Sequence, residues 1–320
     1  MRLLCRPLAV LIVLLLNLIA GAGCHGDTRS EQEKKAWANL EEVHDVVIGQ
    51  GGGRPLHVEI AYSKLPFPSP RPAVIWVHGG GWSGGSHKPN AANYLALFGY
   101  FTASVEYRLS GEAKWPAQIE DCKLAVRWLR ANAAQYHVDP DRIGVMGASA
   151  GGHLAAMLGV TPQHPEFEGH GGYEGVSSAV QAVADLSGPT DLSHGNAGLM
   201  GASEAEDIPM LVQLFGGPFR NMKDTWTKAS PLEYVTKAAP PCLVIHGDRD
   251  PIVPIAHSEK WVEALEKAGV PVKFIRVKGG DHGYTAAKGS PPAEPDVKSL
   301  FLSVKDFFDK ELAPKKPKPE

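Results

Sequence analysis

Residues 143–153 read Ile143-Gly144-Val145-Met146-Gly147-Ala148-Ser149-Ala150-Gly151-Gly152-His153, and this run is the strongest indication of the fold in the chain. The apolar residues before Ser149 are typical of a buried strand, and the small and apolar residues after it predict a helix. A serine on such a sharp turn, with glycine two residues before and after, is a nucleophile elbow, whose strained backbone lifts the hydroxyl above the sheet. Because serine is a weak nucleophile, the chain must also supply an oxyanion site, a base and an acid that orients the base.

An upstream glycine loop is the predicted oxyanion site. The apolar run Val74-Ile75-Trp76-Val77 predicts a buried strand and ends in His78-Gly79-Gly80-Gly81-Trp82. Consecutive glycines let the backbone approach a carbonyl group and turn N–H groups toward it. We predict that the N–H groups of Gly80, Gly81 and Ala150 bind the oxyanion.

Two downstream loops contain the candidate acid and base in the chain order Ser, acid, His. The predicted strand Cys242–Ile245 leads into a loop with two acids, and the alternating strand Val272–Val277 leads into a glycine-flanked loop with His282. Asp250 precedes a proline before the next helix and is favoured as the acid. Asp248 is expected to turn or cap the loop. His282 is the predicted base.

These residues together predict ester hydrolysis through an acyl-enzyme. Ser149 would attack an ester carbonyl, His282 would take its proton and pass it to the leaving alcohol, and Asp250 would fix the imidazole tautomer. No metal or other cofactor is expected, because the histidines show no ligand pairing with an acid and the cysteines do not cluster. His153 and His246 are interpreted as packing or supporting residues.

Several motifs resemble those of the bacterial feruloyl-esterase-like (BD-FAE-like) branch of the α/β-hydrolases, near the hormone-sensitive-lipase-like esterases. They are His78–Trp82, Glu106–Leu109, Pro116-Ala117 with Asp121 and Trp128, Asp139–Gly144, Ser149–Leu154, Gly188–Asp191, Ser230-Pro231 and His246–Pro254. The resemblance covers most of residues 42–312 and implies the same triad and oxyanion donors. Hormone-sensitive-lipase-like enzymes usually have Asp before the elbow serine, so Ala148 favours the feruloyl-esterase-like branch.

The order of elements predicts the α/β class. From Pro72 onward, apolar strands alternate with helices, which indicates a mostly parallel sheet covered on both faces. Val43–Ile48 and Leu56–Tyr62 flank a glycine turn and predict an antiparallel hairpin at the sheet edge. The fold expected is that of an α/β-hydrolase with a small or minimal lid.

The irregular segment 192–232 has two interpretations. It is either a small lid that lines an acyl or alcohol pocket or a short helix packed over the core. The apolar candidates for such a lid are Met200, Met210, Leu211, Leu214 and Phe215. We expect Trp82, Met200, Leu214 and Phe215 to line the substrate pocket.

The start of the chain predicts export. Arg2 and Arg6 precede an apolar run from Leu8 to Ala20, which is typical of a signal peptide over residues 1–23. Cleavage after Ala22 and cleavage before a lipidated Cys24 both remain open. We expect a secreted, periplasmic or lipid-anchored protein of the bacterial cell envelope.

The length and composition of the chain indicate how many domains it has and which classes of partner it does not suit. Its 320 residues, 43% of them hydrophobic, suit one large domain, and a net charge of −3 gives no nucleic-acid signal. We predict a polar tether over 24–41, a catalytic domain over 42–312 and a disordered tail over 313–320. Cys122 and Cys242 are interpreted as core residues and not as a disulfide pair.

The expected substrate is a small-molecule or polysaccharide-attached ester, with acetyl and feruloyl groups as candidates. A serine peptidase of the prolyl-oligopeptidase type shares the Asp-containing loop, but it usually carries a propeller domain and rarely this glycine loop. A non-catalytic binding module on the same scaffold would typically lack the triad histidine.

Overall fold

The computed structural model describes residues 31–67, 69–196, 198–203 and 207–314. In chain order its elements are α1 (Glu31–Ala38), β1 (Leu40–Gly51), β2 (Arg54–Ser63), β3 (Arg71–Val77), β4 (Phe101–Val105), α2 (Ala117–Ala131), β5 (Val138–Ala148), α3 (Ala150–Val160), β6 (Ala182–Leu186), α4 (Pro209–Phe215), α5 (Phe219–Lys228), β7 (Cys242–Gly247), α6 (Ala256–Lys267), β8 (Val272–Val277) and α7 (Val297–Glu311). Short 3-10 helices lie at Asn93–Phe98, Leu199–Gly201 and Pro231–Tyr234.

The predictions for the chain ends fall largely outside these residues. The signal segment 1–23, Cys24 and positions 315–320 of the tail are not among the described residues, so export and lipidation stay predictions. The described part of the predicted tether forms α1 and the start of β1. Within the described residues, no helix has the length and apolar character needed to cross a membrane.

The strands form one eight-stranded sheet in the order β1-β2-β4-β3-β5-β6-β7-β8. β2 is antiparallel to both β1 and β4, and every other neighbouring pair is parallel. The β1–β2 turn passes through Gly52 and Gly53, whose φ angles of 59° and 84° suit glycine because they lie in the left-handed region. The α/β class and the parallel sheet predicted from the strand–helix alternation are confirmed.

Both faces of the sheet are covered. α2, α3 and α6 pack on the face that carries Ile75 and Val145, whereas α7 and the 3-10 helix at Asn93–Phe98 pack on the face that carries Val74 and Met146. Neighbouring strand residues thus serve opposite clusters, as the two-residue period of a strand requires. This explains why the central strands read as continuous apolar runs.

The segment between β6 and β7 fits both interpretations. Leu211, Leu214 and Phe215 on α4 are buried in the core, as a short packed helix predicts. Met200, in contrast, is 54% exposed beside the sheet edge where the parallel strands end. Part of the segment therefore belongs to the core, and part of it lies over the carboxyl ends of the strands.

The cysteines behave as expected of core residues. Cys122 on α2 and Cys242 on β7 are both buried and free. Burial raises the pKa of the Cys122 thiol, which keeps the group protonated and unreactive.

Candidate active site

Ser149 lies between β5 and α3 with φ 57° and ψ −122°, a strained conformation for a residue with a side chain. A Cβ atom on Gly147 would lie 2.2 Å from the Gly151 carbonyl oxygen, and one on Gly151 would lie 2.0 Å from the Val77 carbonyl oxygen. The two flanking glycines are therefore required by close backbone contacts. The Ser149 N–H donates to the Leu186 carbonyl at 2.8 Å, which ties the elbow to the end of β6.

The loops after β7 and β8 bring Asp250 and His282 together. The Nδ1 atom of His282 lies 2.6 Å from Asp250 Oδ2. The Asp250 side chain is fully buried, whereas the His282 ring is 27% exposed. With its Nδ1–H donated to the carboxylate, the ring presents the lone pair of Nε2 to the cavity that Ser149 also lines.

Ser149 and His282 line the same cavity without a direct hydrogen bond between them in the described chain. Catalytic hydrogen bonds in a site without substrate are often long, and they tighten when substrate binds. The arrangement therefore leaves Nε2 and Ser149 Oγ facing one cavity, where substrate binding can bring them into hydrogen-bond contact.

Asp250 stays ionised in this setting. Burial favours its neutral form, but hydrogen bonds from His246, His282 and the Val253 N–H outweigh that effect and hold the pKa of the carboxyl well below its usual range. Its Oδ1 accepts the N–H groups of Ile252 and Val253 at 2.8 and 3.0 Å. A charged acceptor therefore faces His282.

Asp248, the alternative acid, has a different position. Its Oδ1 accepts the Gly279 N–H at 2.7 Å and so joins the loop after β7 to the loop after β8. It does not contact His282 in the described structure. Its hydrogen bond stabilises the two loops against each other, as expected of a residue that turns or caps a loop.

The glycine loop after β3 lines the cavity opposite His282. Gly80 and Gly81 have φ angles of 111° and 60°, and a Cβ on Gly81 would lie 2.1 Å from the Met210 sulfur of α4. In the described chain, the N–H groups of Gly80 and Gly81 donate to no backbone acceptor. Ala150 is the first residue of α3, so its N–H has no acceptor one helical turn before it. All three predicted donors line the cavity beside Ser149 and are available to an oxyanion.

Trp82 joins this glycine loop to α3. Its Nε1–H donates to Nδ1 of His153 at 3.2 Å, and Nε2 of His153 lies 2.7 Å from the Ala229 carbonyl oxygen. The donor at Nδ1 and the acceptor at Nε2 assign the proton to Nε2. Burial lowers the pKa of His153 to about 4, so the ring is neutral at pH 7. His153 is thus a buried hydrogen-bonding residue and not a second base.

The cavity has a volume of about 450 Å³ and is mostly apolar. Besides the triad and oxyanion candidates, its lining residues are Trp82, Ala148, Leu186, Pro189, Leu199, Met200, Met210, Ile252, Val253 and Tyr284. Met200 and Ile252 lie at its open side, where 54% and 38% of their surfaces are exposed.

The structure corrects two of the four predicted pocket residues. Trp82 and Met200 line the cavity, but Leu214 and Phe215 do not, so that part of the prediction is wrong. Leu214 is fully buried, and the Phe215 ring packs 4.5 Å from the Trp226 ring. Both side chains lie on the side of α4 that packs into the core.

Other lining residues could have been anticipated from chain position. Ile252 and Val253 follow Asp250 by two and three residues, and Tyr284 follows His282 by two residues, so each shares a loop with a predicted triad member. Met210 is one of the apolar lid candidates of the segment 192–232, and the packing of α4 over the glycine loop places it in the cavity.

One group among the described residues has the ligand spacing of a metal site, namely Asp45, Glu59 and His87. None of the three lines the cavity. Lys88 forms ion pairs with both Asp45 and Glu59, so an ammonium group already balances these carboxylates.

Comparison with known proteins gives consistent matches. The family model BD-FAE matches residues 62–265. Esterase LipQ of Mycobacterium tuberculosis is 33% identical over 77% of this chain. The matched region covers 58% of LipQ, so this chain spans less than two thirds of the length of that relative. A truncated carbohydrate esterase from gut microbiota is 30% identical, with a TM-score of 0.70 over 86% of this chain and 97% of that one. Esterase Est2 of Thermogutta terrifontis is 26% identical, with a TM-score of 0.68 over 88% of this chain and 95% of that one.

Proposed function

Since this chain belongs to the BD-FAE family, we propose that it is a carboxylic ester hydrolase with Ser149, His282 and Asp250 as its catalytic triad. One observation carries the proposal: a strained serine faces the same cavity as an imidazole whose other nitrogen is bound to a buried carboxylate. The names of LipQ and Est2, both esterases, support the same reaction class.

The reaction proceeds in two acyl transfers. Ser149 Oγ attacks the ester carbonyl while His282 Nε2 takes its proton, and the N–H groups of Gly80, Gly81 and Ala150 stabilise the oxyanion. Asp250 keeps the proton on Nδ1 of the neutral ring and stabilises the imidazolium that forms. His282 then protonates the leaving alcohol, and water repeats the same steps on the acyl-enzyme.

The substrate class we propose is a short acyl group carried by a carbohydrate. The apolar cavity suits the acyl chain. Met200 and Ile252 lie partly exposed at the open side of the cavity, where a bulky alcohol has space. The carbohydrate esterase, which this chain matches over 97% of that protein, supports the carbohydrate part of this proposal.

Serine replacement and covalent labelling test the triad. Ser149→Ala should hydrolyse p-nitrophenyl acetate at least about 10³-fold more slowly than the wild type, because the nucleophile is lost. A dialkyl p-nitrophenyl phosphate should add one phosphoryl group to the wild-type protein, located at Ser149 by peptide mass spectrometry. Ser110→Ala is a matched control, since Ser110 is buried and does not line the cavity. Comparable hydrolysis by wild type and Ser149→Ala would refute the nucleophile assignment.

A substrate panel tests the carbohydrate part separately. Acetylated xylan, methyl ferulate and p-nitrophenyl esters of increasing acyl length should be compared by kcat/KM. We expect release of acetate from the xylan. Hydrolysis of free short esters together with untouched acetylated xylan would leave the esterase proposal standing and remove the polysaccharide substrate.

We also propose that residues 1–23 direct export of the protein to the cell envelope. The basic start and the apolar run before Cys24 support this. Mass spectrometry of the N-terminus after expression in a bacterial host should show a chain that begins at Gly23 or at a lipidated Cys24. An uncleaved N-terminus would contradict export by this signal.

A further inference from the structure

We propose that His246 is a positioning residue for the proposed ester hydrolysis: it shares the Asp250 carboxylate with His282 and limits the negative charge that Asp250 directs at the catalytic imidazole. This inference rests on the proposed function. It concerns a second histidine, on β7, that the sequence marks only as a loop support.

The surroundings of His246 assign its protons. Its ring is fully buried, with Nε2 lying 2.8 Å from the Val253 carbonyl oxygen and 3.2 Å from Asp250 Oδ2. Both of these groups only accept hydrogen bonds, so Nε2 must carry a proton. Its Nδ1 lies 2.7 Å from the hydroxyl of Ser258, a buried residue on α6. In the neutral ring Nδ1 is an acceptor, and Ser258 donates to it.

Two imidazoles therefore meet one carboxylate oxygen. His282 Nδ1 and His246 Nε2 lie 2.6 and 3.2 Å from Asp250 Oδ2, while two backbone N–H groups bind Oδ1. The Nε2–H group of His246, which is hydrogen bonded to the Val253 carbonyl oxygen, also lies beside Oδ2 and offsets part of the negative charge of the oxygen that binds His282. The hydroxyl of Ser258 polarises the His246 ring further and strengthens this donation.

Other charged groups face the same cluster. Asp185 on β6 interacts electrostatically with His246, and both Asp281 and Tyr284, from the loop after β8, interact with Asp250. Burial raises the pKa of Asp185 to about 7 and also raises that of Tyr284, so Tyr284 is uncharged at neutral pH. All three groups are present in every variant below, and His246→Leu is compared with His246→Gln because both variants lack the imidazole that interacts with Asp185.

The predicted consequence concerns the pH at which the catalytic base becomes protonated. Without the His246 donor, Asp250 Oδ2 carries more negative charge and holds the His282 imidazolium more strongly. In His246→Leu the midpoint of the acid limb of kcat should move up by about half a pH unit. The value of kcat should fall about 10- to 100-fold with little change in KM, as for other residues that orient a reacting side chain.

His246→Gln is the matched control. A glutamine amide reaches about as far as the ring Nε2 and can donate to Asp250, so its midpoint should stay close to that of the wild type. A residue that merely filled space would lower kcat in either variant without moving the acid limb.

The decisive measurement needs no turnover. In a Ser149→Ala background, the His282 ring protons should be titrated by NMR in the parent, His246→Leu and His246→Gln proteins. A higher midpoint for His246→Leu than for His246→Gln supports the proposal, and equal midpoints in all three proteins overturn it. Esterase activity retained by Ser149→Ala would instead refute the proposed nucleophile and leave the titration result valid.

Ser258→Ala keeps the test usable if His246→Leu does not fold by circular dichroism. Removing the hydroxyl deprives Nδ1 of its donor, so the midpoint should move in the same direction by a smaller amount. An unchanged midpoint in Ser258→Ala would then overturn the proposal.

Discussion

Replacing Asp250 with asparagine should inactivate the protein while leaving its fold intact. Each carboxylate oxygen faces two donors: the N–H groups of Ile252 and Val253 at Oδ1, and two ring N–H groups at Oδ2. In asparagine an NH₂ group replaces one of the two oxygens. Whichever oxygen it replaces, the NH₂ group then faces other hydrogen-bond donors. Keeping the carbonyl oxygen at the backbone amides preserves two hydrogen bonds, each worth about 0.5–1.5 kcal/mol.

That orientation turns the NH₂ group toward His282 and favours the tautomer with its proton on Nε2. Such a ring cannot accept the Ser149 proton. We expect kcat to fall about 10⁴-fold, or about 5.5 kcal/mol of transition-state stabilisation. The assay is initial-rate hydrolysis of p-nitrophenyl acetate at saturating substrate, with circular dichroism as the check on folding.

Asp248→Asn is the matched control in the same loop. Asp248 braces the loop through the Gly279 N–H and does not contact His282, so its variant should stay within about tenfold of the wild-type kcat. A folded Asp250→Asn protein that retained a tenth of the wild-type rate, or a larger loss in Asp248→Asn, would refute the assignment of the acid.

Three further predictions concern two buried residues, Leu214 and His153, and one residue that lines the cavity, Met200. Leu214→Ala should lower the free energy of unfolding by about 2–5 kcal/mol with KM unchanged, because Leu214 is buried in the core, whereas Met200→Ala should change KM with little effect on stability. Urea denaturation and kinetics check both, and the reverse pattern would contradict the placement of α4. The folded-state pKa of His153 is lowered from 6.5 to about 4, so the unfolded chain takes up the proton first. The neutral, buried His153 ring therefore contributes fully to the free energy of unfolding above about pH 6.5. As the pH falls toward 4, that contribution declines by up to about 1.4 kcal/mol per pH unit. Wild type should therefore lose more stability than His153→Gln between pH 7.5 and 5, and parallel losses would contradict the assignment.

The positions of the central strands and the residues at their ends were accessible from the sequence because parallel strands bury both faces. Continuous apolar runs such as Val74–Val77 and Cys242–Ile245 could be located, and the residues that follow them could be named. The carboxyl ends of parallel strands converge at one edge of the sheet. For this reason residues as far apart as Ser149 and His282 could be placed in one site before any contact was known.

The lining of the cavity was only partly predictable. Met200, Met210, Leu214 and Phe215 are all apolar residues of one irregular segment, and hydrophobicity alone does not separate those that face the core from those that face the cavity. The direction of each side chain depends on how α4 packs over the glycine loop. That packing is a tertiary property, seen in the contact between Met210 and Gly81.

The fold class, the elbow at Ser149 and the loops that contain Asp250 and His282 could be read from the residues, because they depend on periodicity, glycine and chain order. Which buried histidines support these groups depends on tertiary packing. Trp82 reaches His153 across 71 positions, and His246 lies on a separate element from Ser258 and meets Asp250 only because the loop folds back. Such hydrogen bonds depend on positions accurate to a few tenths of an ångström, and residue patterns do not encode distances of that kind.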